Sequence, residues 1–162
     1  MNIALSYRVR KAEIEDIDSI AKLLKYFSDK RLLLPKSTDD LYRQIRGFRV
    51  AVAEDLHSGK DRVIGSAHLD IFTENLAEVK SLAVSPNYQG LGVGKLLVQD
   101  CEREAKGISI KKVFALTYQV DFFKKLNYEP IDINSLPEKV FTECVNCPFF
   151  GKCNENAFIK ML

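Results

Sequence analysis

Apolar positions along this chain recur with two different periods. Ile17, Ile20, Ala21, Leu24 and Phe27 stand at helical spacing, which predicts an amphipathic helix interrupted by Pro35. Ser37 opens a second helix, with Asp40 three residues on as a weak capping box and Leu41, Ile45 and Phe48 on its apolar side. Tyr7–Arg10, Arg49–Ala53, Arg62–Phe72 and Ala77–Val84 read as strands. The polar stretch Asp55–Asp61, with Gly59, serves as a hairpin connection, and Pro86 stops the last of these strands. Three successive strands with short links predict an antiparallel meander. Val93, Leu96, Leu97, Cys101 and Ala105 return to helical spacing, with Gly107 as the expected stop. Lys112–Thr117 is apolar and β-rich. Following a strand and a helix, it is expected to run parallel to Ala77–Val84 through a right-handed crossover. A short helix from about Val120 to Leu126 and strands at Tyr128–Ile133 and Ala157–Leu162 complete the reading.

The order of elements is mixed α/β, without repeats, low-complexity stretches or a linker. The 162 residues fit a single domain spanning 1–162. Composition adds exclusions more than assignments. The net charge of +2 comes from interleaved basic and acidic residues, which argues against a nucleic-acid partner. No apolar run approaches the roughly 20 residues that cross a bilayer, and the first residues lack a signal-peptide pattern, so no membrane association is expected and the expected location is cytoplasmic.

The chemistry concentrates in Glu78–Gly94. Here a strand enters a tight loop with glycines at 90, 92 and 94, and the loop opens a helix. Glycines permit positive φ and close approach of backbone to a ligand. Unpaired amides at a helix start, backed by the helix dipole, attract an anion such as phosphate or pyrophosphate. A Walker loop is excluded because Gly94-Lys95 is followed by Leu96 rather than a hydroxyl residue. The glycine spacing also differs from the dinucleotide fingerprint. Three glycines could simply form a turn before a helix, but the run Leu82-Ala83-Val84-x-Pro86-x-Tyr88-Gln89-Gly90-x-Gly92-x-Gly94 is long and lies in the right context.

This run, with Gln89-x-x-Gly92-x-Gly94 at its centre, resembles the acetyl-CoA loop of GNAT acetyltransferases, and the likeness spans most of the chain. The resemblance implies the GNAT fold: a mixed, mostly antiparallel central sheet of about seven strands flanked by about four helices. It implies acetyl-CoA as co-substrate, with no metal. Gln89, Gly90, Leu91, Gly92, Val93, Gly94 and Lys95 would hold the pyrophosphate, and the backbone of a bulge at Leu82, Ala83 and Val84 would pair with the pantetheine arm. Such proteins are commonly homodimers.

Further segments resemble the short form of N-acetylglutamate synthase: Leu33–Ser37, Phe114–Thr117, Phe122–Leu126, Pro130–Ile133, Leu136–Val140 and the cysteine-containing end. This implies acetylation of the α-amine of an amino acid, glutamate or glutamine, as the first step of arginine biosynthesis. Long bacterial forms carry an Arg-Ser pair after the equivalent of Thr117. Here Tyr118 and Gln119 stand there, and the missing guanidinium removes a bidentate carboxylate clamp. A side-chain amide thereby becomes a competitor to a side-chain carboxylate.

The acceptor ammonium must lose a proton before it attacks the thioester. Glu78 is the candidate general base, working through a water, against the plain alternative of a solvated strand carboxylate. Many GNAT enzymes protonate the thiolate from a Tyr in the short helix; the matching residue is Phe123, which leaves Tyr118 as the nearest substitute or as a packing residue. Lys36 and Lys80 are the candidate cations for the substrate carboxylate, with Arg8, Arg43 and Arg46 as weaker options. Lys80 shares a strand face with Glu78. Cys101 reads as core. Cys144, Cys147 and Cys153 have partial metal-site spacing but supply only three thiols, and His57 and His68 are distant in sequence, so buried thiols are the preferred reading over a metal site. Two alternatives stay open: a GNAT enzyme for another amine or a protein N-terminus, and a non-catalytic acetyl-CoA-binding regulatory domain.

Overall fold

A computed structural model describes residues 6–136 and 155–162. Its elements run in the order β1 (Tyr7–Lys11), α1 (Ile17–Asp29), α2 (Thr38–Gln44), β2 (Phe48–Glu54), β3 (Asp61–Thr73), β4 (Leu76–Val84), α3 (Val93–Gly107), β5 (Lys112–Thr117), α4 (Val120–Lys125), β6 (Glu129–Ile131) and β7 (Asn156–Met161). Among the described residues the strands form a seven-stranded mixed sheet in the order β1-β2-β3-β4-β5-β7-β6. Two compact units are distinguished. One takes the chain up to Leu69 together with Ser81–Arg103; the other takes Asp70–Lys80 and the chain from Glu104 onward.

In the first unit β1 pairs antiparallel with β2, from Tyr7 opposite Ala53 to Lys11 opposite Arg49. β2 pairs antiparallel with β3, and the register shifts between Ala51 and Val52, so that Ile64 is the extra residue on β3. Even positions of β2 face α1 and α2. Phe48, Val50 and Val52 join Ile17, Ile20, Leu24, Leu41 and Ile45 in one buried cluster. Each large apolar side chain buried there contributes about 1.5–3 kcal/mol. Odd positions face α3: Arg49, 1% exposed, forms an ion pair with Asp100 at 2.8 Å, and Asp100 also meets Arg103 at 2.7 Å.

The joint between β1 and α1 is fixed by charge. Asp16 accepts from Arg10 at 2.7 and 3.0 Å and from the Glu13 amide at 2.7 Å. Ser37 caps α2 as expected, its hydroxyl accepting from the Asp40 amide at 3.1 Å. Phe48, expected on the apolar side of α2, is instead the first residue of β2, because Ile45–Gly47 ends the helix as a single 3-10 turn. It reaches the same core from the strand. α1 ends at Asp29, before Pro35 can act; its last turn is closed by Lys30 and Arg31 amides, with Arg31 in the left-handed region at φ 59.

In the second unit β4 and β5 are parallel, as expected, over Leu76–Glu78 opposite Lys112–Phe114. β7 pairs antiparallel with β5 on one side and β6 on the other. Leu76, Phe114 and Leu136 form one buried cluster in it, with Phe72, Leu116, Ile131 and Ile159 packed around them. α3 ends at Gly107, as expected, and the turn beyond it is closed two residues on. The left-handed residue is Ser109, at φ 68, and its cap is closed by Ile110 N to Ala105 O at 2.9 Å and Ser109 N to Lys106 O at 3.0 Å. The last strands are shorter than predicted for β6, which keeps only Glu129–Ile131.

Candidate active site

The glycine loop is built in the first unit, between the end of β4 and the start of α3. The chain leaves β4 with the Ser85 amide bonded to the carbonyl of Ile64, the extra residue of β3, at 2.8 Å. Pro86–Tyr88 makes one 3-10 turn, with Pro at a position where its missing N–H costs nothing. The Gln89 side chain then reaches back and donates to the Val84 carbonyl at 3.0 Å, tying the loop to the strand end. Gly90 and Gly92 both take positive φ, 76° and 84°. A β-carbon at Gly90 would meet no atom within 4 Å, and one at Gly92 only the Tyr7 hydroxyl at 3.6 Å. The demand for glycine here is therefore conformational rather than steric.

Gly92 is the residue from which α3 starts, since its carbonyl accepts from the Leu96 amide at 3.1 Å. A glycine at this position has no side-chain oxygen to cap the helix, which suits the first amides of α3 to an external anion. The residues fit a phosphate guest. Lys95 is exposed on the first turn, where it adds positive charge. The helix is seated by Val93, Leu97, Val98 and Cys101, all buried; Cys101 is core, as read from the sequence. Gly65 of β3 lies directly beneath, where a β-carbon would sit 3.0 Å from Leu97 Cδ1, 3.1 Å from the Ala83 carbonyl and 3.3 Å from Val93 Cγ1.

Just before the bulge expected at Leu82, Ala83 and Val84, the backbone of β4 is irregular at Ser81. Ser81 takes φ 51, and its carbonyl accepts from the Ser66 hydroxyl at 3.2 Å. A non-glycine residue held there costs about 1–3 kcal/mol, so the surrounding strands fix it. Ala83 is buried, whereas Leu82 and Val84 are partly exposed.

The other nominated side chains divide between the units. In the first, Lys36 is half-buried and donates to Gln44 Oε1 at 2.6 Å. In the second, Glu78 occupies the last rung of the β4–β5 ladder, opposite Phe114, and is 3% exposed. That overturns the picture of Glu78 as a solvated strand carboxylate. Lys80, two residues on, forms an ion pair with Asp70 at 2.6 Å. Tyr118 follows β5 directly and is 40% exposed; the turn there is held by the Gln119 amide donating to Thr117 Oγ1 at 2.8 Å. Phe123 is a core residue, edge-on to Phe122 and Tyr128 and stacked towards Phe158. His57 lies in the β2–β3 turn, and His68 is buried and stacked on Phe48 at 4.6 Å. Among the described residues no three metal-binding side chains converge. Cys144, Cys147 and Cys153 lie outside the described residues. A pocket of about 440 Å³ in the second unit, near Asn75, Lys112 and Leu136, is lined by none of the nominated residues. No helix among the described residues is long and apolar enough to cross a membrane.

Sequence reasoning missed Tyr7, Gly65 and Ser81. Tyr7 donates its hydroxyl to the Leu91 carbonyl in the middle of the loop. Its only sequence signal is a Tyr on an edge strand.

The sequence profile of the acetyltransferase (GNAT) family matches residues 14–128. The chain belongs to the GNAT acetyltransferase family. It is 32% identical over 154 residues to an uncharacterized N-acetyltransferase of Chlorobaculum tepidum, covering 95% of this chain and 96% of that one. It is 30% identical over 135 residues to an amino-acid acetyltransferase of Mycobacterium tuberculosis, covering 83% and 75%. Among solved structures, N-acetylglutamate synthase from Neisseria gonorrhoeae, complexed with coenzyme A and N-acetyl-glutamate, superposes with a TM-score of 0.84 at 26% identity, over 97% of this chain and 35% of that one. This chain also spans only 29% of a longer relative, the amino-acid acetyltransferase of Buchnera aphidicola.

Proposed function

We propose that this chain is a single acetyltransferase domain that moves an acetyl group from acetyl-CoA to the α-amine of an amino acid, glutamate or glutamine, as the entry reaction of arginine biosynthesis. The observation that carries the reading is the helix α3, started by a left-handed glycine that brings no capping side chain, at the end of a loop tied to β4. The names of the relatives point to the same acceptor class.

In this account the amides of Gly90–Gly94 and the ammonium of Lys95 hold the donor pyrophosphate, and the backbone of Leu82–Val84 pairs with the pantetheine arm. The acceptor nitrogen attacks the thioester carbonyl, the C–S bond breaks, and CoA leaves as thiolate. Glu78 takes the proton from the acceptor ammonium through a water. Tyr118 is the available proton donor for the thiolate, because Phe123 has none to give. Lys36 and Lys80 receive the substrate carboxylates. Lys80 would exchange Asp70 for the substrate, which makes its contribution smaller than that of an uncommitted cation. Tyr118 and Gln119, in place of an Arg-Ser pair, favour glutamine as a serious rival to glutamate.

The test is identification of the product. Purified protein incubated with acetyl-CoA and equimolar glutamate and glutamine should yield an amino acid acetylated on its α-nitrogen, detected by mass spectrometry, with the product ratio giving the preference. Acetylation of a polyamine or a peptide, with both amino acids untouched, contradicts the reading.

A further inference from the structure

We propose that Tyr7 is a positioning residue for the donor: its hydroxyl holds the Leu91–Gly92 peptide in the orientation in which the loop presents amides to the pyrophosphate of acetyl-CoA. The inference rests on the acetyl-CoA reading above and adds to it a residue from the far end of the sequence.

The loop has conformational freedom to lose. Leu91 lies between Gly90 and Gly92, both in the left-handed region. A short run with two glycines has many accessible conformations, so presenting its amides to one ligand costs entropy unless something fixes it. The Gln89 side chain fixes only the entry, at the Val84 carbonyl. The middle is fixed by Tyr7, which donates to the Leu91 carbonyl. The peptide is trans. In a trans peptide the carbonyl and the following N–H point in opposite directions. Holding the Leu91 carbonyl towards Tyr7 therefore turns the Gly92 N–H away from Tyr7. The anchor is rigid, because β1 pairs with β2 along its whole length and Arg8 next to Tyr7 is bidentate to Asp61 at 2.7 and 3.2 Å. Nothing in this arrangement involves the thioester or the acceptor. Its effect should be confined to donors that carry a pyrophosphate.

That restriction gives the experiment. Tyr7→Phe keeps the ring and removes the hydroxyl, and it is assayed with acetyl-CoA and with acetyl-pantetheine, which lacks the nucleotide and pyrophosphate. We expect the acetyl-CoA KM to rise about three- to tenfold, the range expected for one lost hydrogen bond, with kcat and the acceptor KM unchanged. With acetyl-pantetheine, kcat/KM should match wild type. Asp61→Asn, which loosens β1 without removing the hydroxyl, should lower the melting temperature and change the ratio between the two donors less than Tyr7→Phe does. Equal losses with both donors, or an unchanged acetyl-CoA KM in folded Tyr7→Phe, would overturn the proposal. Calorimetric titration with CoA and with pantetheine separates this inference from the acceptor reading. A wild type that binds CoA but acetylates no amino acid removes the acceptor, and the same three- to tenfold loss must then appear in CoA binding alone. A wild type that does not bind CoA overturns both.

Discussion

Gly65 of β3 lies so close under Leu97 of α3 that a β-carbon on the glycine would stand 3.0 Å from Leu97 Cδ1. The Ala83 carbonyl, at 3.1 Å, closes the other side and cannot rotate away as a side chain can. The contact sets how deeply the first turns of α3 settle on the sheet, and hence where the loop's amides point. Gly65→Ala is predicted to lose about 1–3 kcal/mol of stability from overpacking. Urea unfolding would show the lower midpoint, and CoA titration should show weaker binding in the same protein.

At Gly92 the constraint is conformational rather than steric. Space is available there, but φ is 84°. Gly92→Val must either hold a β-branched residue in the left-handed region, at about 1–3 kcal/mol, or rearrange the loop. The expected result is loss of CoA binding by tenfold or more, with near-native circular dichroism. Binding as tight as wild type would contradict the loop assignment.

Asp100 supplies the carboxylate partner of a buried arginine, Arg49. Breaking a buried pair from one side costs up to about 3–5 kcal/mol, because the other charge keeps its burial penalty. Asp100→Ala should therefore destabilise strongly in thermal unfolding. Arg49→Met combined with Asp100→Leu should recover much of the loss.

Asp16 gives a pH dependence. Burial pushes its carboxyl up, but hydrogen bonds from Arg10 and from the Glu13 amide outweigh burial and leave it below the ordinary value of 3.8. A carboxyl lowered in the folded state adds stability that is fully present above the unfolded value and is lost as pH falls through the folded one. Unfolding free energy should thus drop on going from pH 6 to pH 3, and Asp16→Asn should shrink that drop. An unchanged acid limb in the variant would contradict the pairing.

Glu78→Gln tests the base. Its kcat should fall by about a hundredfold or more, with the acetyl-CoA KM held, and the acidic limb of the pH–rate profile should flatten. Stability must be followed alongside, since Glu78 is buried.

Much of this architecture was legible in the residues. Helical spacing from Ile17 to Phe27 and the Ser37 cap located two helices, and strand–glycine–helix order located the loop. Position-dependent features were less visible. Gly107 has the residue type of a helix stop, yet Ser109 takes the left-handed turn. Phe48 fits a helical period but begins a strand, because a 3-10 turn intervenes. The positive φ on β4 falls at Ser81, where no glycine announces it. Tyr7 and Gly65 act on the loop across 84 and 32 positions respectively, judged by Leu91 and Leu97, and no local pattern carries such a contact. The candidate chemistry was legible as residue types only: Glu78 was a strand carboxylate in sequence and is a buried one in the fold.

The most direct measurement is thiol release from acetyl-CoA by the purified protein, offered glutamate, glutamine, a polyamine, an aminoglycoside and a peptide in turn. Release is predicted with glutamate or glutamine, and none above background with the other three. Release with another acceptor alone, or silence across the whole panel while acetyl-CoA still binds, would contradict the proposed function.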